Sequence, residues 1–490
     1  MINYIAKITK EKNFLSLAAN LSVAVFGFLS FVLLTRTLAK DPFGEWVLFI
    51  TAANFLEMLR FGITRTAIIR FLSGAEGKEK FQLIGSNWFI GLLVSAAIAI
   101  IIFSIRISFP QTIEASGYRL FFIWYPLLAF LNLPFNNAIS VLQAKQEFSR
   151  ILVIRLTQTG TFVLFLLINF CFLDYGLETI VKVYLAMQLL TSILTMIRGW
   201  DGVKYIFHAN QNTNKTILNF GKYTTGTLIG SNLLKSSDTF ILGLSSFMGT
   251  TGVALYSVPL KLTEVIEIPL RSFMATAYPS LSKASLEGNY VKFKKMYYTY
   301  AGAVTLLLIP ILIIGFVFAR EFVIILGGMK YENTADIFRI FAIYGLLLPV
   351  DRFTGVALDS LNKPRKNFFK VVFMTISNIA GDIFVIFVVM KFVLGVSLVT
   401  NFIEGSLNFE SLFPASAQMS FYFTLQGVAL VTIFMTIIGM VVGYTYLRKE
   451  IDVHFRQIWV EGLHFYRTYL IRFLKGKSMS EQENSKGQKI

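Results

Sequence analysis

The sequence predicts an all-α polytopic membrane protein of about twelve transmembrane helices, and three observations carry that prediction. First, 55% of the 490 residues are hydrophobic and 15% are charged, with a mean hydropathy of +0.64, where soluble domains carry about 25% charge. Second, twelve segments approach the roughly 20 apolar residues that a helix needs to cross hydrocarbon. They fall at 14–36, 43–64, 83–105, 120–144, 151–173, 179–197, 218–246, 252–278, 297–319, 335–361, 368–393 and 423–447. Third, with an even number of spans and a cytosolic N-terminus, the loops, termini and adjoining span ends divide 31 Lys and Arg on one side from eight on the other. That asymmetry is what the positive-inside rule requires, and it puts both termini in the cytosol.

Each segment has its own justification. The basic start MINYIAKITKEKN runs into an apolar stretch that passes Phe31 with no small-residue cleavage site, so it is expected to remain as the first span. The second, seventh, eighth and tenth spans contain charges, and a strict hydropathy window would count ten or eleven. All are expected to be helices, because open sheet edges cannot be satisfied in lipid, and the ten-residue alternation of a barrel strand is missing. The basic loop RGWDGVKYIFHANQNTNKT (198–216) divides six spans from six, giving an N-terminal lobe 1–197 and a C-terminal lobe 217–447. Weak internal likeness supports the division: FVLLTRTLAKDPFGEW (31–46) with FILGLSSFMGTTGVALY (240–256), and SVLQAKQEF (140–148) with DSLNKPRKNF (359–368). Parallel six-span halves place a substrate site between them in transporters. In the segment 448–490, residues 453–474 carry Phe455, Ile458, Trp459, Leu463, Tyr466, Leu470 and Phe473 at helical spacing, expected to lie on an anionic leaflet. A disordered tail follows. The external connection 394–422 could form a short interfacial helix of no assigned role.

A net charge of +17 would suggest nucleic acid in a soluble protein, but here it reflects basic cytosolic loops, and no nucleic-acid partner is expected. One cysteine, Cys171, excludes internal disulfides and thiolate clusters, and His208, His454 and His464 are too few and too scattered for zinc. Neither a GxxxxGK[ST] phosphate loop nor an HExxH or GxSxG motif occurs, so no ATPase, protease or hydrolase is indicated and no cofactor or metal is expected.

Charges within spans are the informative residues, since each costs about 2.5–3.5 kcal/mol at mid-bilayer and normally faces a bundle interior or wet cavity. Lys261, Glu264, Glu267 and Arg271 in the eighth span form one stripe of about 120°, bracketed by Pro259 and Pro269. The stripe reads either as a self-neutralising ladder that locks the lobe or as the wall of a cavity. Lys235 and Asp238, three apart in the seventh span, sit among small residues that also suit a close helix seam. Arg60 and Arg352, with Arg271, lie toward the cytosolic side. Glu57 with Arg60 and Asp336 with Arg339 read most simply as local pairs. Asp382, one turn after Asn378, has no evident cation: it reads as a protonated carboxyl, a packing residue or a coupling-ion site.

The stretches FGEWVLFITAANFLEMLRFGITRTAIIRFLSG (43–74), SSDTFILGLSSFMGTTGVALYSVPLKLTEVI (236–266), AYPSLSKASLEGN (277–289) and ILGGMKYENTADIFRIFAIYGLLLP (325–349), followed by DSLNKPRKNF, resemble the polysaccharide flippase branch of the multidrug/oligosaccharidyl-lipid/polysaccharide exporter superfamily. Asp238, a small-residue turn, Tyr256 and Lys261 form the most specific part. The resemblance implies two six-helix lobes around a central cavity that opens alternately to each side. It also implies an ion-gradient-driven flippase for an undecaprenyl-diphosphate-linked oligosaccharide, such as an O-antigen repeat unit, in the bacterial inner membrane, with membrane lipids and polysaccharide assembly proteins as further partners. Lys235, Lys261, Arg271, Arg352 and Arg60 are then the expected substrate-binding residues, and Asp238, Glu264, Glu267 and Asp382 the ion-coupling candidates. The first span lacks both the cations of peptidoglycan-precursor relatives and the acid of drug-exporting relatives. A drug/cation antiporter, a membrane glycosyl polymerase or ligase and a non-transporting assembly scaffold remain as alternatives.

Overall fold

The structure is a computed structural model that describes residues 12–245, 247–389 and 409–474. Among them the long elements are all helices. They are α1 (Lys12–Thr37), α2 (Lys40–Leu72), α3 (Gly77–Ser108), α4 (Arg119–Leu131), α5 (Leu133–Ala144), α6 (Phe148–Leu173) and α7 (Leu177–Ile197). After a short 3-10 turn, Val203–His208, come α8 (Gln211–Leu244), α9 (Gly249–Leu286), α10 (Tyr290–Val317), α11 (Ala335–Ser360), α12 (Pro364–Val388), α13 (Phe409–Ile451) and α14 (Phe455–Leu474). A helix stands at each of the twelve expected spans. Nine helical segments among the described residues are long and apolar enough to cross a membrane, and α4 with α5, bent by 45°, makes a tenth. The polar helices α8 and α9, of 34 and 38 residues, fall short on composition and not on length. The expected N-terminal extension (1–11), most of the 394–422 connection and the tail 475–490 lie outside the described residues.

The described chain forms two compact units: residues 1–257 with 326–330, and 258–325 with 331–490. This division and the loop at 198–216 do not coincide, because α8 packs along α2. A Cβ on Gly221 of α8 would lie 1.9 Å from the Ile63 carbonyl oxygen, so only glycine lets the two backbones approach. The bend between α4 and α5 has a covalent cause: Pro134 supplies no N–H, and the carbonyls released near the break find other donors. Ala129 O accepts from Arg60, and Leu131 O from Ser192 Oγ.

In the second unit, Phe293, Tyr297, Leu308, Phe353 and Leu447 build one buried core. Helix α14 is held to α10 more tightly than its amphipathic spacing foretells. Gly302 meets Gly462 so closely that a Cβ on Gly302 would fall 2.0 Å from Ile458 O. Tyr466 donates to Ala303 O at 3.0 Å, and the His454 backbone N–H donates to Tyr298 Oη at 2.8 Å. One face of this helix is therefore spent on protein, while Phe455, Trp459, Val460 and Leu463 stay exposed.

Candidate functional site

In the second unit, α9 and α11 gather three cations and two carboxylates. The three-residue spacing on α9 lets Lys261 Nζ reach Glu264 at 2.6 Å, and the four-residue spacing lets Arg271 reach Glu267 at 2.5 Å. Arg352 of α11 approaches the other oxygen of Glu267 at 3.7 Å. Two guanidiniums thus share one carboxylate. Glu267 is shielded, at 13% exposure, whereas Arg271 is 60% exposed, so the cation is the side of the pair open to a ligand. Pro259 and Pro269 interrupt the backbone bonding of α9 along this stripe. The cluster carries one net positive charge. It can offer an anion planar, bidentate guanidinium donors.

The other expected residues stand apart from this cluster. In the first unit, Asp238 is buried on α8 and accepts hydrogen bonds from Tyr256 Oη at 2.5 Å and Ser237 Oγ at 3.3 Å, tying α8 to the start of α9. Lys235, one turn earlier, is exposed. Arg60 does not present its charge to a ligand. It is fully buried, donating to Ser95 Oγ at 2.7 Å, to Ala129 O and to Glu57 at 2.6 Å. Its expected place among the substrate contacts gives way to an interior one, because the bend at Asn132 leaves a carbonyl that its guanidinium satisfies. Asp382, on α12 of the second unit, is fully buried and accepts from Asn378 Nδ2 at 3.1 Å. Asp336 and Arg339 pair at 2.5 Å on an exposed face.

Two features were not read from the sequence. Lys370, near the start of the expected span 368–393 and not singled out there, is buried on α12 at 3% exposure and pairs with Asp351 of α11, itself 6% exposed, at 2.7 Å. The available signal was its setting in FFKVVFM, a lysine with aromatic and branched neighbours on both sides. Glu57, dismissed as a local partner of Arg60, also accepts from Tyr125 Oη at 3.3 Å and Asn136 Nδ2 at 3.4 Å. No group of three or more metal-ligating side chains occurs among the described residues.

Helical spans with these charges define a polytopic all-helical membrane protein. The structure is similar to that of a multidrug resistance MATE family transporter of the MOP superfamily in an inward-facing conformation. The TM-score is 0.67 at 14% identity, over 88% of this chain and 94% of that one. It is similar also to the lipid II flippase MurJ in an inward closed conformation, with a TM-score of 0.65 at 14% identity, over 95% and 94% of the two chains. A MOP superfamily transporter from Pyrococcus furiosus, described as having a binding pocket of reversed polarity, gives a TM-score of 0.53 at 15% identity, over 91% and 97%. At these identities the likeness establishes the fold. The family follows from the sequence itself: residues 10–285 match the polysaccharide biosynthesis protein family, and the chain belongs to it. No curated protein matches the sequence.

Proposed function

We propose that this protein is a secondary transporter that flips a polyprenyl-diphosphate-linked oligosaccharide, an O-antigen or other surface polysaccharide repeat unit, across the bacterial inner membrane. It works by alternating access of two lobes, with both termini cytosolic. The observation that carries the reading is the Arg271–Glu267–Arg352 cluster, with Lys261 beside it, inside a chain of the polysaccharide biosynthesis family. A diphosphate carries about two negative charges, and moving it bare through hydrocarbon is prohibitive. Two guanidiniums already gathered on a carboxylate can exchange that carboxylate for phosphoryl oxygens with little rearrangement. The exposed Lys235 is a further contact for the anion, and the polyprenyl tail stays in lipid. Likeness to a lipid II flippase supports a lipid-linked substrate. Asp238, Glu264, Glu267 and Asp382 are the candidates for taking up the driving ion.

The comparable likeness to a multidrug transporter favours a second reading, drug/cation antiport. A net basic cluster is unsuited to a cationic drug, which separates the two. The test is surface polysaccharide in a strain lacking the native gene, with membrane abundance measured alongside. Arg271→Ala with Arg352→Ala should insert normally and fail to restore polysaccharide, while the two Arg→Lys changes should retain part of the activity. Full restoration by the double alanine variant would overturn the reading.

A further inference from the structure

Glu57 stands near the middle of α2, about 25 Å from Lys40 and about 22 Å from Leu72 at ~1.5 Å per residue. Its surroundings serve two protonation states. As a carboxylate it accepts from Arg60, Tyr125 and Asn136, and the Asn132 side chain is within hydrogen-bonding reach. Yet Asn132 Oδ1 is buried with no partner, although buried acceptors are normally satisfied. Turning that amide over presents its carbonyl to Glu57, where only a protonated carboxyl has a hydrogen to give. Asn132 is the residue at which α4 and α5 break, so the bend is what puts this acceptor beside Glu57.

Arg60 is built to tolerate the change. Its guanidinium holds Ser95 Oγ and the Ala129 carbonyl independently of Glu57, so it stays hydrogen-bonded when the carboxylate is neutralised. Near the site, Tyr184 of α7 lies within electrostatic range of Glu57 and adjoins Gln188. Gln188 Oε1 accepts from Gln158 Nε2 at 3.1 Å, and Gln158 Oε1 accepts from Arg155 at 3.1 Å. Residues 156–160 form a wide π turn in α6, and Gln158 sits at its centre. Arg155 closes the first straight stretch of α6, Phe148–Arg155, at the end that the proposed orientation puts in the cytosol. The titratable groups around Glu57 are thus Arg60 on its own helix, Tyr125 on α4 and Tyr184 on α7. A buried ion pair alone contributes little net stability, and an ionisable group within a membrane-spanning helix points to function.

We propose that Glu57 is the proton-exchanging carboxylate of the first unit, taking up and releasing a proton while Arg60 stays charged and Asn132 accepts from the neutral acid. A proton from water adds to a Glu57 carboxylate oxygen and leaves from it, and no other bond forms or breaks. The inference rests on the transporter reading for its purpose, but its test contains no substrate.

Infrared difference spectra of the purified full chain carrying Asp201→Asn, which removes the buried loop carboxyl that titrates at about 6, should show the carbonyl stretch of a buried protonated carboxyl between mildly acidic and mildly alkaline buffer. Glu57→Gln should abolish that band, whereas Asp238→Asn, Glu267→Gln and Asp382→Asn should keep it, and Asn132→Ala should shift its frequency and midpoint. Should Glu57→Gln fail to fold, Glu57→Gln combined with Arg60→Met removes the charge together with its partner and is read the same way. Absence of the band in the Asp201→Asn parent, or its persistence there without Glu57, would overturn the proposal and leave the substrate reading intact. A Glu57 band in a protein that moves no lipid-linked sugar would do the reverse.

Discussion

Replacing Lys370 with methionine isolates the energetics of an ion pair sealed inside the second unit. Its amine donates to Asp351 Oδ1 at 2.7 Å and to the Asp351 carbonyl at 3.3 Å. Methionine keeps most of the stem that packs against Gly443, where an added Cβ would lie 2.8 Å from the lysine Cδ. The volume is nearly conserved, so the loss is electrostatic: Asp351, 6% exposed, becomes a buried charge without its cation. Breaking such a pair costs about 3–5 kcal/mol, whereas replacing both members with apolar residues is often neutral. Lys370→Met should therefore be severely destabilised, and Lys370→Met with Asp351→Leu should recover most of the loss. Reversible unfolding in mixed micelles, arranged as a double-mutant cycle, measures the coupling directly. A single variant costing under about 1 kcal/mol, or a double variant no better than the single, would refute the reasoning.

Three further outcomes follow from the same geometry. Gly462→Ile should lift α14 from α10 at an overpacking cost of about 1–3 kcal/mol, read as faster proteolysis after Arg456 and Arg467; unchanged cleavage would contradict the Gly302 contact. Asp201, in the connection between α7 and α8, is fully buried, and burial pushes its carboxyl up to about 6 from 3.8 despite the nearby Gly202 and Val203 N–H groups. Since the folded state holds that proton more tightly, stability should fall as pH rises from about 4 to about 6. Asp201→Asn should then be more stable than wild type at neutral pH by up to about 3 kcal/mol, with the advantage vanishing in acid; a pH-independent difference would refute this. With Cys171 removed, Gln111→Cys and Glu287→Cys should label from opposite sides of the membrane, and labelling of both from one side would sink the proposed topology.

The helices were legible in the sequence because hydropathy and length act locally: each of the twelve apolar segments needs only its own residues to form. The ion pairs on α9 were legible for the same reason, since spacings of three and four residues fix neighbours on one helix. What escaped was set between helices. Lys370 meets Asp351 nineteen residues away across two packed helices, and no periodicity registers that meeting. Arg60 was expected to meet substrate because a cation in a span suggests a cavity, but the break at Asn132 created a carbonyl for it inside the protein. The amphipathic spacing of α14 foretold a two-faced helix. That one face would be claimed by α10 depended on Gly302 and Gly462, single small residues whose close approach appears only after folding.

The central claim is that the cationic cluster carries a lipid-linked diphosphate across the membrane. The direct measurement is translocation by the purified protein in vesicles loaded with a polyprenyl-diphosphate oligosaccharide bearing a fluorescent sugar, scored by protection from a membrane-impermeant quencher. Movement should run well above that in protein-free vesicles, be driven by an imposed ion gradient and be lost in the Arg271→Ala, Arg352→Ala double variant. Movement equal to protein-free vesicles, or undiminished movement by that variant, would contradict the claim.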